Sequence, residues 1–289
     1  FIMGSVAAVD PQARRLTLRT LAGDLDLGYD HLVLALGNRA RLDLMPSMAE
    51  HALPLKTVGD AMHIRNTVLR RLACIELESD PERRRHLGHF IIVGGGFSGV
   101  EVAGELIDCL SGIRHYYPRV AADELKVTVL HGMARLLPEL SPRLGAAALE
   151  SLRQRGVVVR LDTVAASVSA AGVHLRDGEL VAGHTVLGTI GTSANPLLER
   201  IGIACVQGRI VVNGDLSVPD FPGLWALGDC AAVPNALDGS TSPPTAQFAV
   251  RQARHLAGNL IRSMAGRSTT PRVAILSARR ACSGSRSCS

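Results

Sequence analysis

The stretch HFIIVGGGFSGVEVAGEL, residues 89–106, constrains the fold of this chain more than any other. An apolar run ends in Gly94, Gly96 and Gly99, which form the pattern GxGxxG, and a small-residue helical pattern follows. In a strand–turn–helix unit the first glycine makes a tight turn, the second admits a diphosphate close to the backbone, and the third lets the helix pack on the strand. The free N–H groups at the helix start also attract an anion. The stretch therefore predicts a dinucleotide site; the alternative is a glycine turn without a ligand.

The composition favours aliphatic α/β layers. The 289 residues suffice for two modest domains, and 47% of them are hydrophobic while only 3% are aromatic. The net charge of +5 is scattered without a basic stripe, so we expect no nucleic-acid partner. The six cysteines form no CxxC pair and no metal-ligand spacing with histidine, which predicts reduced thiols and no metal site. No apolar stretch reaches about 18 residues, so we expect no transmembrane helix.

Several helices can be predicted from apolar spacing and from their end signals. Residues 58–79 show helical spacing, and the segment SDPERRR is expected to end that helix. Ser141 and Pro142 are typical of a helix start, and that helix is expected to run to about Arg155. A last helix is expected from residue 245 to about residue 264.

The strand after the glycine turn ends in His131, where such units usually carry an acidic residue that binds the adenosine ribose. Arg135 lies four residues further along the chain. A His/Arg pair tolerates a 2′-phosphate, so His131 is a candidate cofactor-binding residue and NADP(H) is retained beside NAD(H). The alternative is that His131 is a surface residue at the strand end.

A second apolar strand, in GLWALGDCA, ends at Gly228 and Asp229. An aspartate at the carboxyl end of a strand suits a ligand that carries hydroxyl groups, and the alternative is a turn aspartate without a ligand. A third apolar strand, in YDHLVLALG, ends at Gly37. Continuous apolar strands indicate a sheet that is covered on both faces.

With these segments the chain resembles the pyridine-nucleotide-disulfide oxidoreductases, flavoprotein reductases in which a Rossmann-like FAD domain is interrupted by a domain that binds NAD(P)H. YDHLVLALG, ending at Gly37, is similar to the strand that returns from the FAD half, and the glycine turn is similar to the NAD(P)H turn. GTIGTSANPLL, which contains Gly191, resembles the crossover back into the FAD domain. The resemblance implies that Gly228 and Asp229 lie in the FAD site, with Asp229 on the ribityl chain.

More narrowly, three segments resemble the type II NADH dehydrogenases, single-chain NADH:quinone oxidoreductases: residues 50–72, SDPERRRHLGHFIIVGGG and SPPTAQFAVRQARHLAGNL. The last resembles a helix that gives backbone to the flavin ring and lines the quinone site, which implies roles for Thr245, Ala246 and Gln247. Glu101 matches a glutamate beside the nicotinamide and is assigned a positioning role. The alternatives are an exposed helix glutamine at 247 and a first-turn helix carboxylate at 101.

The chain departs from the family pattern at three places. The family's FAD domain opens with its own glycine turn and none precedes Tyr29, so we expect about 30 residues or more before Phe1. A Ser/Arg/Cys-rich tail stands where the family docks on the membrane. Arg251 stands at the second glutamine of PPTAQxAxQ, with Gln252 next to it. Because missing strands would leave unpaired edges, we expect this chain, expressed alone, to be poorly soluble and colourless.

The predicted fold is α/β with two three-layer Rossmann-like domains. We expect a partial FAD domain at 1–55, an inserted NAD(P)H domain at 56–190, the rest of the FAD domain at 191–266 and a disordered tail at 267–289. The predicted function is transfer of a hydride from NADH to FAD and of electrons to a quinone, by a protein peripheral on the cytoplasmic face of the membrane. The nicotinamide and the flavin would have to meet face to face. The alternatives are a soluble NAD(P)H reductase that serves a ferredoxin-like protein, and an inactive fragment that binds NAD(H) alone; a homodimer is possible in each case.

Overall fold

The computed structural model describes residues 1–235 and 239–271. The chain divides into two compact units: an insert unit, Ala40–Thr192, and an outer unit formed by Phe1–Arg39 together with the chain from Ser193 onward. The predicted α/β fold, with one domain inserted into another, is confirmed. The limits at residues 55 and 190, and the cofactor assigned to each domain, stay predictions.

The strands and helices follow one another along the chain in three groups. The first part contains β1 (Ser5–Asp10), β2 (Arg15–Thr20), β3 (Gly23–Gly28), β4 (Leu32–Leu34) and β5 (Asn38–Ala40). The middle part contains α1 (Met48–His51), β6 (Ala52–Pro54), α2 (Val58–Leu77), α3 (Pro81–Gly88), β7 (His89–Val93), α4 (Phe97–Ile113), β8 (Lys126–Leu130), α5 (Pro142–Gln154), β9 (Val158–Arg160), β10 (Ala165–Ser169), β11 (Gly172–Leu175), β12 (Leu180–Ala182) and β13 (Thr185–Gly188). The last part contains β14 (Thr192–Ala194), α6 (Leu197–Ile201), β15 (Cys205–Val206), β16 (Arg209–Val211), β17 (Leu224–Ala226), β18 (Ala231–Ala232) and α7 (Ala246–Met264).

The insert unit is built on a five-stranded parallel sheet in the order β6-β13-β7-β8-β9. Every residue of β7 is buried, and its side chains alternate between two cores. Phe90 and Ile92 pack with apolar residues of α2, α4 and α5, whereas Ile91 and Val93 pack with the antiparallel sheet β10-β11-β12. The result is three layers, with helices on one face of the parallel sheet and a second sheet on the other.

Local signals explain where the helices of the insert unit begin. Thr57 and Asp60 form a capping box at the start of α2. Asp80 accepts the backbone N–H groups of Glu82 and Arg83 at the start of α3. SDPERRR follows the end of α2 as predicted, and it also starts α3, which the sequence analysis did not predict. Ser141 is the N-cap residue of α5 as predicted, although its side chain makes no capping hydrogen bond.

The outer unit contains small sheets around one aliphatic core. β1, β2 and β3 form an antiparallel sheet, and β4 and β17 pair in parallel, with Leu34 opposite Ala226. The core gathers Leu34, Trp225 and Leu256 with neighbouring aliphatic residues. Both strands of the parallel pair therefore end at one edge, which is where ligands bind in open α/β sheets.

The chain beyond α7 is described only to residue 271. The Thr269 hydroxyl donates to the Asp215 carboxylate at 2.6 Å, and the backbone N–H of Thr270 donates to Asn259 at 2.9 Å. Of the predicted disordered tail, 267–289, residues 272–289 lie outside the described residues. None of the helices in the described ranges combines the length and the hydropathy that crossing a bilayer requires.

Candidate functional site

The glycine turn joins β7 to α4 in the insert unit. The structural reason for a glycine differs among its three motif positions. Gly94 has φ +122°, which L-residues with side chains rarely adopt. A Cβ on Gly99 would lie 1.9 Å from the Gly94 carbonyl oxygen, so the close approach of helix and strand needs a glycine there. A Cβ on Gly96, in contrast, would meet nothing within 4 Å. The fold itself therefore does not require a glycine at position 96. A ligand that occupies this open space would require one, because a side chain would collide with it.

The start of α4 offers hydrogen-bond donors to such a ligand. The first N–H groups of an α-helix have no intrahelical acceptor, and Gly96, the N-cap residue of α4, has no side chain to accept from them. Glu101 follows on an exposed position of α4, one turn into the helix. The turn and the predicted positioning carboxylate therefore lie on one continuous element.

Thr189, which follows the neighbouring strand β13, hydrogen-bonds to the glycine turn. This role was not predicted from the sequence. Its hydroxyl lies 3.0 Å from the Val93 carbonyl oxygen and 3.2 Å from that of Gly94. The only sequence signal is its place just after β13, whose carboxyl end is level with that of β7. Gly191 follows at φ +65°, and a Cβ there would lie 2.8 Å from a Leu44 methyl group.

His131 lies at the end of β8 as predicted, but its ring is turned inward. Only 9% of the residue is exposed, which does not match the surface alternative. Its Nδ1 accepts the Gly95 N–H at 3.1 Å, and its Nε2 lies 3.0 Å from the Arg135 carbonyl oxygen. The Arg135 guanidinium donates to the carbonyls of Leu140 and Pro138. Both side chains therefore hold the loop that follows β8.

The outer unit carries the second group of predicted site residues. Gly228 follows β17 at φ +72° and Gly37 follows β4 at φ +61°, at the edge where the two parallel strands end. Asp229 lies in a short 3-10 turn, Gly228–Cys230. The Gly228 N–H donates to Oε1 of Gln252, from α7, at 2.8 Å. The structure thus brings Gly37, Gly228 and Asp229 to one sheet edge.

The Cys230 side chain links this turn to the end of β4 by hydrogen bonds. Its buried Sγ accepts the Leu36 N–H at 3.3 Å and lies 3.4 Å from the Leu34 carbonyl oxygen. Burial raises the pKa of this thiol, so it stays protonated and acts as a packing and hydrogen-bonding group. Cys74, Cys109, Cys205 and Cys230 are all free thiols, while Cys282 and Cys288 lie outside the described residues.

Four buried side-chain polar atoms among the described residues have no hydrogen-bond partner, and two of them belong to Arg209 (Nε) and Ser242 (Oγ) in the outer unit. The Arg209 guanidinium also donates to the Ser242 carbonyl at 2.9 Å. Burial lowers the pKa of Arg209, and the Asp229 carboxylate acts against that shift. Because buried polar groups are nearly always hydrogen-bonded, these atoms fit a site that is completed by a polar ligand.

The helix α7 presents its predicted residues at its first turn. Thr245 is the N-cap residue and Ala246 the first helical residue, and Gln247 is exposed. Gln252 is buried, with 1% exposure, because it reaches Gly228. The sequence reading noted Gln252 only as an offset from the family pattern and assigned it no role.

A cleft of about 730 Å³ in the insert unit lies at the opposite edge of its sheet. This cleft lies where β7 and β8 begin, and its lining residues include His89 and Lys126. One of its carboxylates, Glu124, is already bound by Arg84, and Asp80 caps α3. The glycine turn lies at the other edge, where the strands have their carboxyl ends, and that is the edge at which parallel sheets usually bind dinucleotides.

Comparison with known proteins shows which sequences and folds this chain is similar to. A type II NADH:quinone oxidoreductase, Ndh, of Mycobacterium tuberculosis is 26% identical over 281 residues, covering 94% of this chain and 59% of that protein. A ferredoxin reductase for the CYP199A2 system from Rhodopseudomonas palustris superposes with a TM-score of 0.71 at 24% identity, covering 90% of this chain and 58% of that one. NDH2 from Plasmodium falciparum in complex with NADH gives a TM-score of 0.71 at 19% identity, covering 80% and 50%.

The chain thus spans between 50% and 59% of the length of these proteins. The two structural likenesses show a shared fold. The family model described as pyridine nucleotide-disulphide oxidoreductase matches residues 1–253, which is most of the sequence. The chain therefore belongs to the pyridine nucleotide-disulphide oxidoreductase family, as its three motifs predicted.

Proposed function

We propose that this chain is part of a flavin-dependent NADH:quinone oxidoreductase. The observation that carries the proposal is that each unit has its own glycine-lined strand edge. One lies at Gly94–Gly99 in the insert unit, and the other is formed by Gly37, Gly228 and Asp229 in the outer unit. The similarity to a type II NADH:quinone oxidoreductase supports the choice of substrates.

In the insert unit the open space at Gly96 and the uncapped start of α4 fit the diphosphate of NADH. Glu101 is assigned a positioning role toward the nicotinamide. Gly191 lies in the crossover after β13 and is placed at the margin of this site. No acidic residue stands at the end of β8, so NADPH is retained as a second donor.

In the outer unit Asp229 is assigned to the hydroxyl groups of the FAD ribityl chain, and Gly37 and Gly228 leave the backbone accessible there. Thr245 and Ala246 would offer backbone to the flavin ring, and Gln247 would face the quinone. A bound flavin supplies the ability to accept a hydride and to pass electrons on to a quinone, which can take them up stepwise. The orphaned polar atoms of Arg209 and Ser242 support a polar ligand at this edge.

The test uses the product of the complete gene, whatever it adds to these 289 residues. The proposal expects purified protein with bound flavin, loss of the flavin absorbance on adding NADH without oxygen, and its return on adding a quinone. It also expects co-sedimentation with vesicles of anionic lipid. Flavin that NADH leaves oxidised would contradict the proposal.

A second candidate is a soluble NAD(P)H reductase that passes electrons to a ferredoxin-like protein. It is favoured by the fold likeness to a ferredoxin reductase. Reduction of a ferredoxin faster than of a quinone, without vesicle binding, would support it. A fragment that binds NAD(H) alone is the third possibility: the 289-residue chain would then bind NADH while remaining colourless and inactive. Analytical ultracentrifugation of the same samples distinguishes monomer from homodimer.

A further inference from the structure

We propose that His131 is a positioning residue that fixes the glycine turn and does not read the 2′ position of the adenosine ribose. The inference rests on the proposed function, because it concerns the site for the nicotinamide dinucleotide. It replaces the expectation that His131 and Arg135 together face a 2′-phosphate.

The peptide groups on both sides of Gly95 are held by the segment that follows β8. The Gly95 N–H donates to Nδ1 of His131 at 3.1 Å, and the Gly95 carbonyl accepts the Leu137 N–H at 2.9 Å. Gly95 lies between the first and second glycines of the motif. Its two hydrogen bonds therefore set the direction of the backbone just before Gly96, where the diphosphate is placed.

The second ring nitrogen fixes the tautomer. Nε2 lies 3.0 Å from the Arg135 carbonyl oxygen, and a carbonyl can only accept. Nε2 therefore carries the proton, and Nδ1 is left as the acceptor for the Gly95 N–H. Both ring nitrogens are thus used by hydrogen bonds within the protein.

The ring is also held sterically. A Cβ built on Gly95 would lie 2.7 Å from Cγ of His131 and 2.5 Å from a Leu136 methyl group, so the ring and that leucine pack directly on the turn. The His131 backbone is fixed on both sides, since its N–H donates to Arg160 at 2.9 Å and its carbonyl accepts from Thr163 at 2.8 Å. Turning the ring toward a ribose would break its hydrogen bonds to the Gly95 N–H and the Arg135 carbonyl.

This arrangement has a consequence for cofactor choice. An acidic residue at this position would bind the 2′-hydroxyl and repel a 2′-phosphate. His131 offers neither effect, and the guanidinium nitrogens of Arg135 are bonded to the carbonyls of Pro138 and Leu140. We infer that the side chain at position 131 affects the affinities for NADH and NADPH equally.

The test measures the dissociation constants of NADH and NADPH, by titration calorimetry, for the unaltered protein and three variants. His131→Leu removes the acceptor, and we expect both constants to rise by a common factor of roughly five to ten. His131→Asn places a side-chain oxygen near the position of Nδ1, and it should restore most of the affinity. Val129→Ala, in the same buried strand but away from the turn, is the control for lost stability and should leave both constants unchanged in the folded protein.

The outcomes separate this inference from the function on which it rests. If unaltered protein binds neither dinucleotide, the proposed function and this inference both fall. If it binds them but His131→Leu leaves both constants unchanged, or changes their ratio more than about threefold, only the inference about His131 is overturned. Equal weakening by Val129→Ala would also overturn it, because general destabilisation would then explain the loss.

Discussion

The side-chain oxygen of Gln252 accepts a hydrogen bond from the backbone N–H of Gly228 at 2.8 Å. This bond joins the buried face of α7 to the turn that carries Asp229. Gly228 has φ +72°, a conformation that glycine adopts readily, and the bond to Gln252 fixes the position of its N–H. The helix that is expected to carry the flavin-side residue Gln247 thus also holds the loop expected to bind the ribityl chain.

Replacing Gln252 with leucine should weaken FAD binding. The substitution keeps the volume but leaves the Gly228 N–H without its acceptor, so we expect the FAD dissociation constant to rise roughly five- to tenfold. Flavin fluorescence, which is quenched on binding, measures it in the product of the complete gene. Arg254→Gln on the exposed side of α7 is the matched control and should have no effect. Equal FAD affinity in Gln252→Leu would show that the Gly228 turn keeps its shape without this bond.

Arg84 should be the largest single polar contribution to the stability of the insert unit. Its guanidinium bonds both oxygens of Glu124 and the backbone carbonyls of Ile75, Glu78 and Arg119, and only 8% of the residue is exposed. Arg84→Met leaves these acceptors unpaired and should lower the free energy of unfolding by roughly 3 kcal/mol. Urea denaturation followed by circular dichroism measures the change.

Two further variants control the Arg84 experiment. Adding Glu124→Gln to Arg84→Met should recover part of the loss, since the uncompensated carboxylate is removed. Arg160→Met breaks a more exposed ion pair with Glu179 and should cost much less. A loss from Arg160→Met as large as that from Arg84→Met would contradict this account.

His89 should make the stability of the protein fall in mild acid. Burial removes the His89 ring from water and lowers its pKa to about 4, and the hydrogen bond to the Ala182 carbonyl opposes this shift only in part. The unfolded chain takes up a proton below pH 6.5, whereas the folded protein resists it until about pH 4. The stabilisation is therefore complete above pH 6.5 and is lost as the pH falls toward 4, by roughly 2–3 kcal/mol.

The comparison of variants isolates the contribution of His89 from that of the carboxylates. His89→Gln should flatten the dependence of the unfolding free energy on pH between 6.5 and about 4. His51→Gln replaces an exposed histidine and should leave that slope as it is. An unchanged slope in His89→Gln would mean that other groups cause the acid sensitivity.

The sequence predicted the elements whose signals are local. α2, α4, α5 and α7 follow from their apolar spacing, and the three motif strands follow from continuous apolar runs that end in glycine. α3 was missed because its mostly charged segment, Pro81–Gly88, shows no apolar stripe. The Asp80-Pro81 pair that starts this helix is also a signal for the end of the preceding one.

The sequence predicted only those site residues that belong to a motif. The roles of Thr189, Gln252 and His131 arise from hydrogen bonds to residues 24 to 96 positions away in the sequence. No local pattern encodes such contacts, since they depend on which strand ends the fold brings together. The sequence placed His131 correctly at a strand end but could not show that its ring turns inward.

The affinity of Gly96→Ala for NADH tests the central claim most directly. The space beside Gly96 is open and its φ of −78° suits any residue, so alanine should change the stability by no more than about 1 kcal/mol. If a diphosphate occupies that space, the added methyl group must displace it, and we predict a dissociation constant for NADH raised roughly tenfold or more. Gly112→Ala, at an equally open position on α4, is the control and should leave the affinity unchanged. Unaltered NADH affinity in Gly96→Ala would show that the dinucleotide does not bind at this turn.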